Sequence, residues 1–131
     1  MKPGPVLVVD DEEAFRELLV EALEVRGYLA YGAPTAEAAL EGWEGWKPAV
    51  VVTDQNMPGG RTGLELLTLL RTSAPRVPCI LMTGYASPDL AAKAERAGAF
   101  GFLSKPFKLA EFEASLNRAL SWAAGQGAGN P

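Results

Sequence analysis

The chain has 131 residues, 48% of them hydrophobic, and a formal net charge of −4. This length suits one domain with a sizeable core. The negative charge leaves no broad basic surface for phosphates, so we expect no direct binding to nucleic acid. Histidine is absent, which excludes histidine-dependent catalysis and histidine-ligated metal sites. The single cysteine, Cys79, precludes a disulfide framework and is expected to be buried. The sequence has neither a secretory leader nor an apolar stretch long enough to span a membrane, so we expect a cytoplasmic protein.

Short apolar runs rich in β-branched residues recur along the chain and predict strands. The third run is continuous, which is typical of a strand buried on both faces of a parallel sheet. The predicted strands are Val6–Val9, Tyr28–Tyr31, Ala49–Val52, Cys79–Met82 and Gly101–Ser104.

Between these runs, apolar residues recur at helical spacing and predict amphipathic helices. Thr35 and Ser87 are candidate N-caps of the second and fourth helices. Gly27 and Gly98 are expected to end the first and fourth helices, and Gly45 and Pro48 are expected to end the second. The fourth helix is rich in alanine and buries little apolar area, so we expect it to be the loosest element.

Strands that alternate with helices predict an α/β fold with a doubly wound, five-stranded parallel sheet and five helices, because parallel neighbours need crossover connections. We expect the strand order 2-1-3-4-5. Residues 1–123 are expected to form the domain. Residues 124–131 are glycine-rich and are expected to be a flexible tail or the start of a linker.

Polar residues follow four of the predicted strands. Asp10 and Asp11 follow the first strand, Asp54 the third, Thr83 the fourth and Lys105 the fifth. In an open parallel sheet, ligands bind outside the carboxyl ends of the strands. We therefore expect these side chains to converge on one edge.

The chemistry of this set points to a metal and to phosphate. Carboxylates about 4 Å apart repel by roughly 4 kcal/mol per pair at an effective dielectric near 20, so the cluster needs a cation. Asp10, Asp11, Asp54 and a main-chain carbonyl near Asn56 form an all-oxygen donor set that suits Mg²⁺. Beside such an ion, Asp54 is a candidate nucleophile toward phosphorus, with the lysine and the threonine hydroxyl contacting phosphoryl oxygens.

At these residues the sequence closely resembles the receiver domain of two-component response regulators, from about Val6 to Ala123. The matching motifs are VLVVDDE, VVTDQNMPGG, LMTGY and GAFGFLSKPF, each at the expected strand end. The resemblance implies a flavodoxin-like fold and a phosphoryl group transferred onto Asp54 from a sensor histidine kinase or a histidine phosphotransfer protein. It also implies a requirement for Mg²⁺ and slow hydrolysis of the product.

The resemblance further implies how the molecule would switch. Thr83 would be drawn toward the phosphoryl group, and Phe102 would change its rotamer. The face formed by the fourth helix, fifth strand and fifth helix would then signal to a downstream effector protein or domain, or form a homodimer on phosphorylation. Phe102 lacks the hydroxyl of the tyrosine-type switch. The family also suggests a cis peptide bond between Lys105 and Pro106.

One departure from the family lies in the loop after the third strand. The family usually has a glycine eight residues after the phosphoacceptor, whereas Gly63 stands nine residues after Asp54. The segment from Pro58 to Thr62 is therefore expected to hold one extra residue, which could alter kinase docking or the hydrolysis rate.

Three alternatives remain open at this point. A receiver-like interaction module would bind partners without being regulated by phosphorylation. A haloacid-dehalogenase-type phosphatase would need a second aspartate where Asn56 stands, and a flavin-binding relative would need a hydroxyl- or glycine-rich loop in place of the acidic residues 10–13.

Overall fold

The structure is a computed structural model that describes residues 4–128, with side chains for residues 4–125. The strands of this part of the chain are β1 (Val6–Val9), β2 (Ala30–Ala33), β3 (Val50–Asp54), β4 (Cys79–Thr83) and β5 (Gly101–Ser104). The helices are α1 (Glu13–Val25), α2 (Ala36–Trp46), α3 (Gly63–Ser73), α4 (Pro88–Ala97) and α5 (Leu109–Ala128). The sheet is parallel in the order β2-β1-β3-β4-β5, which confirms the predicted topology.

The central strands β1, β3 and β4 are buried along their whole length. Alternate residues of a strand point to opposite faces, so each strand supplies two hydrophobic clusters. Val8, Val52 and Met82 belong to the cluster that includes residues of α1 and α5. Leu7 and Val51 belong to the cluster that includes residues of α2 and α3. The central strands are therefore packed on both faces.

The second strand begins later than the sequence predicted. Gly27 has a φ of 91°, and the N–H groups of Gly27 and Tyr28 donate to the carbonyls of Glu24 and Leu23. This is the Schellman arrangement that closes a helix. Tyr28 therefore belongs to the end of α1, and sheet pairing starts at Ala30.

The second helix passes through Gly45, the first of the two residues expected to end it, and stops before Pro48, the second. It runs to Trp46, whose ring stacks on Tyr31 with centroids 5.7 Å apart. The same ring covers Gly42, where a Cβ would lie 2.4 Å from it. Aromatic packing thus holds the last turn in place, and Lys47 ends the helix in the left-handed conformation.

The later elements agree with the sequence at most of their boundaries. Thr35 and Ser87 accept N-cap hydrogen bonds, as predicted, and Cys79 is buried. Ala94 is the only fully buried residue of α4. That α4 is the loosest element stays a prediction. Helix α5 continues to Ala128, through the start of the predicted tail, and residues 129–131 lie outside the described residues.

Candidate functional site

Four parallel strands deliver the predicted polar residues to one edge of the sheet. Asp10 directly follows β1, Asp54 and Thr83 are the last residues of β3 and β4, and Lys105 directly follows β5. Main-chain hydrogen bonds extend the pairing beyond the strands, from Asp10 N–H to Ala33 O and from Lys105 N–H to Thr83 O. The position of each side chain is therefore set by the sheet itself.

Three carboxylates meet at this edge. One oxygen from each of Asp10, Asp11 and Asp54 lies within 4.8 Å of the other two. Asp10 is fully buried, Asp54 is 6% exposed, and Asp11 is exposed to solvent. The cluster is thus anchored in the protein on one side and open to water at Asp11.

Lys105 bridges the two buried carboxylates. Its Nζ lies 2.9 Å from Asp10 Oδ2 and 3.0 Å from Asp54 Oδ1. Burial by itself lowers the pKa of a lysine, but the hydrogen bonds to both carboxylates outweigh it, and the pKa of Lys105 is raised. Lys105 is therefore charged at neutral pH and supplies one positive charge to the cluster.

The Asp54 carboxyl lies in an environment that opposes its ionisation. Burial raises its pKa, the hydrogen bond from Lys105 lowers it, and the charge of Asp10 raises it again, so that the net shift is upward. The Asp54 carboxylate is thus higher in free energy than an exposed one. A further cation at the cluster would relieve this.

Residues of the adjoining segment bond to both the side chain and the main chain of Asp10. Its Oδ1 accepts the N–H of Glu12 at 2.9 Å, and its main-chain oxygen accepts Nη1 of Arg16 at 2.8 Å. The role of Arg16 could not be predicted from the sequence, because a basic residue in the first turns of an amphipathic helix has no pattern that sets it apart. Its side chain is only 15% exposed, so its aliphatic part packs while its tip bonds to the end of β1.

The loop after Asp54 is tied at both ends. The main-chain oxygen of Gln55 accepts the N–H of Gly63, and its side-chain Oε1 accepts the N–H of Leu64 at 2.8 Å. Thr62 and Glu65 form a reciprocal capping box at the start of α3. A Cβ at Gly63 would lie 2.3 Å from the main-chain oxygen of Asp54. A glycine is therefore needed where the chain returns over the site.

The remaining predicted residues lie around this centre. Thr83 is fully buried, and its Oγ1 accepts the N–H of Tyr85 at 3.0 Å. Phe102 is half-buried in β5 and lines a groove of about 250 Å³ with Ala91 and Ala94 of α4. Asn56 is exposed in the loop after β3. The Lys105–Pro106 peptide bond is cis, as predicted.

The donor set fits a hard divalent cation such as Mg²⁺. The oxygens of Asp10, Asp11 and Asp54 are close enough to share one ion, and the exposure of Asp11 leaves room for the water ligands that Mg²⁺ retains. Lys105 balances only one of the three negative charges, so the cluster keeps an excess that favours cation binding.

Comparison with known proteins decides the family. The family model described as the response regulator receiver domain matches residues 6–117. The chain belongs to the response regulator receiver domain family.

Curated relatives of this receiver domain include the response regulator protein FleR from Pseudomonas aeruginosa, 42% identical over 103 residues. That match covers 79% of this chain and 22% of FleR. Another relative is the transcriptional regulatory protein FixJ from Azorhizobium caulinodans, 38% identical over 94% of this chain and 58% of FixJ. The chain thus spans about a fifth of the length of FleR and somewhat over half of the length of FixJ.

Solved structures agree with this assignment. The receiver domain of NtrX from Brucella abortus has a TM-score of 0.83 and 33% identity, and the match covers 88% of this chain and 98% of that one. The structure titled FixJ-N has a TM-score of 0.82 and 34% identity over 92% of this chain and 96% of that one. The molecule is a receiver domain of two-component signalling. Within residues 4–128, no helix is long and apolar enough to cross a membrane.

Proposed function

We propose that this receiver domain takes a phosphoryl group onto Asp54 from the phosphohistidine of a sensor histidine kinase or a histidine phosphotransfer protein, in the cytoplasm and with Mg²⁺. The observation that supports this most directly is the bridge made by Lys105. One ammonium bonds both Asp10 and Asp54 at the edge where three carboxylates meet. In phosphoryl transfer, positioning and charge stabilisation supply most of the catalysis, and this arrangement offers both.

The transfer step involves two groups, the Asp54 carboxylate and the phosphohistidine of the donor. An oxygen of the Asp54 carboxylate forms a bond to phosphorus while the bond from phosphorus to the donor's imidazole nitrogen breaks. The electron pair of that bond stays on the nitrogen, and because the donor's imidazole already carries a proton on its other ring nitrogen, it leaves as neutral imidazole. Burial, which raises the pKa of Asp54, also removes water from this carboxylate and makes it a better nucleophile.

The other residues would share the charge that develops on the phosphoryl oxygens. Lys105 would exchange its bond to Asp54 for one to a phosphoryl oxygen and keep its bond to Asp10, 2.9 Å away. Asp10, Asp11, Asp54 and the main-chain carbonyl of Asn56 would hold Mg²⁺, which would supply two further positive charges. Slow attack by water on the same phosphorus would return Asp54 to its free form.

The contact between Thr83 and Tyr85 gives the switch a physical route. The Thr83 hydroxyl accepts the N–H of Tyr85. If the hydroxyl turns toward a phosphoryl group, this bond is lost and the loop between β4 and α4 is released. Tyr85 is 81% exposed, so few contacts resist the movement.

Phe102 would carry the change to the α4–β5–α5 face. The groove of about 250 Å³ beside Ala91 and Ala94 offers space for a second position of its ring. An altered face would bind a downstream effector protein or domain, or a second copy of the chain. Light scattering with and without a phosphoryl mimic tests the homodimer, which an unchanged mass would exclude.

The phosphoryl transfer is tested by intact-protein mass after incubation with Mg²⁺ and acetyl phosphate. We expect the wild type to gain one phosphoryl group in the presence of Mg²⁺. Asp54→Ala should gain none, and neither should the wild type without Mg²⁺. Asp89→Ala, which removes an exposed carboxylate from α4, should label like the wild type. If the wild type gains nothing while a known receiver is labelled in parallel, the interaction module that is not regulated by phosphorylation becomes the better interpretation.

A further inference from the structure

Lys105 has a third close neighbour besides its two carboxylates. Its Nζ lies 4.2 Å from the centroid of the Phe15 ring, over the face of that ring. The negative face of an aromatic ring attracts an ammonium group at this distance. Phe15 belongs to the first turn of α1, and this helix begins just after the acidic pair of the site.

The Phe15 ring is itself held in place by other aromatic rings. Its centroid lies 6.1 Å from that of Phe107 in an edge-to-face arrangement, and Phe107 stacks on Phe112 at 5.7 Å. Phe112 is fully buried. A row of rings therefore connects the hydrophobic core to the lysine. Lys105 and Phe107, which lie two residues apart after β5, both contact Phe15.

We propose that Phe15 is a positioning residue for Lys105. Its ring face holds the ammonium group in place while an N–H donor of that group moves from the Asp54 carboxylate to a phosphoryl oxygen. This inference rests on the proposed phosphoryl transfer. The bonds to Asp10 and Asp54 use two of the three ammonium donors. A ring face attracts the charge but has no carboxylate-like lone pair, so it does not compete strongly with an arriving phosphoryl oxygen.

The alternative is that Phe15 is only an apolar packing residue. It does pack against the cluster that contains Phe112, and its removal will cost stability in either case. The two roles differ in what replaces the ring. Leucine or methionine restores apolar contact without the charge–ring attraction, whereas tyrosine keeps the ring face.

The experiment uses Phe15→Leu, Phe15→Met and Phe15→Tyr, with Phe100→Leu as the matched control. Phe100 is also a half-buried phenylalanine packed on the same cluster and paired with another ring, that of Trp122. It precedes β5, whereas Lys105 follows β5. The first measurement is ¹³C relaxation of the lysine side-chain methylenes in metal-free protein, which reports the order of Lys105 and, as an internal reference, exposed Lys93. The second is the rate of phosphoryl gain from acetyl phosphate.

We expect Phe15→Leu and Phe15→Met to lower the order of Lys105 and to slow phosphoryl gain by about two- to fivefold, the size of one cation–π contact. Phe15→Tyr should match the wild type, and Phe100→Leu should lose stability without changing Lys105. An unchanged order of Lys105 in the leucine and methionine variants, or an equal fall in Phe100→Leu, would overturn the proposal. A wild type that gains no phosphoryl group would refute the proposed function alone, since the relaxation measurement needs neither metal nor donor.

Discussion

The side-chain oxygen of Gln55 accepts the main-chain N–H of Leu64 at 2.8 Å. The residue next to Asp54 is thereby bonded to the first turn of α3, across the loop that is predicted to hold one extra residue. Helix N-termini have N–H groups without partners in the helix, and this side chain satisfies one of them. Together with the bond from the N–H of Gly63 to the main-chain oxygen of Gln55, it closes the loop between β3 and α3.

We expect Gln55→Ala to lower the free energy of unfolding by about 1 kcal/mol, because the partly buried N–H of Leu64 loses its acceptor. Gln55→Glu keeps an acceptor oxygen and should remain close to the wild type. Thr72→Ala, an exposed change on the same helix, serves as the control. Urea unfolding measures all three, and equal stability of Gln55→Ala and Thr72→Ala would contradict the structural role of this bond.

The fold followed from the sequence because the patterns that specify it are local. Buried runs such as Val50–Asp54 and breakers such as Gly98 mark elements without reference to the rest of the chain. The boundaries that differ from the prediction depend on details that the apolar pattern does not specify. Helix α2 passes through Gly45 because Trp46 stacks on Tyr31. Helix α5 continues beyond Ala123 to Ala128, because alanine favours helix and each of the two glycines in this stretch costs only about 1 kcal/mol.

The residues of the candidate site that lie at strand ends could be predicted from the sequence, and those that support them could not. Asp54 and Lys105 were found because the order of parallel strands brings strand ends together, whatever the side chains do. The supporting residues Phe15, Arg16 and Gln55 were missed. Their importance depends on side-chain direction, which a helical or loop pattern does not specify.

The raised pKa of Asp54 predicts that its charge destabilises the metal-free protein. The folded state binds the proton more readily than the unfolded state, so stability falls as pH rises above the ordinary value of 3.8. Asp54→Asn should therefore raise the free energy of unfolding at neutral pH, on the order of 1 kcal/mol. The gain should vanish as pH falls through the raised pKa toward that value. Urea unfolding in a chelator checks this, and a loss of stability at neutral pH would disprove it.

Mg²⁺ should stabilise the folded chain. An ion that binds only the folded state adds about 2.7 kcal/mol at a hundredfold excess over its dissociation constant. Asp11→Asn should remove most of this gain, because it takes one oxygen donor from the cluster. Glu44→Gln, which neutralises an exposed acid on α2, should keep it. Thermal unfolding at constant ionic strength measures the effect; equal shifts in both variants would indicate only general screening.

Lys105 and Mg²⁺ are expected to compete, since both interact with Asp10 and Asp54. Lys105→Met should cost the metal-free protein about 3–5 kcal/mol, the usual result of removing one partner from a buried ion pair. Lys93→Met is the matched control, because its ion pair with Asp89 is exposed and worth about 0–1 kcal/mol.

Two further results should follow from the same variant. The pKa of Lys105 is raised above 10.5, so its stabilisation is complete below that pH and is lost as pH rises through the raised value. The cost of Lys105→Met should shrink accordingly at alkaline pH. Mg²⁺ should stabilise Lys105→Met more than the wild type, because the metal then meets no competing ammonium. Thermal unfolding with and without Mg²⁺ tests this, and a smaller shift in the variant would show that Lys105 and the metal bind without competition.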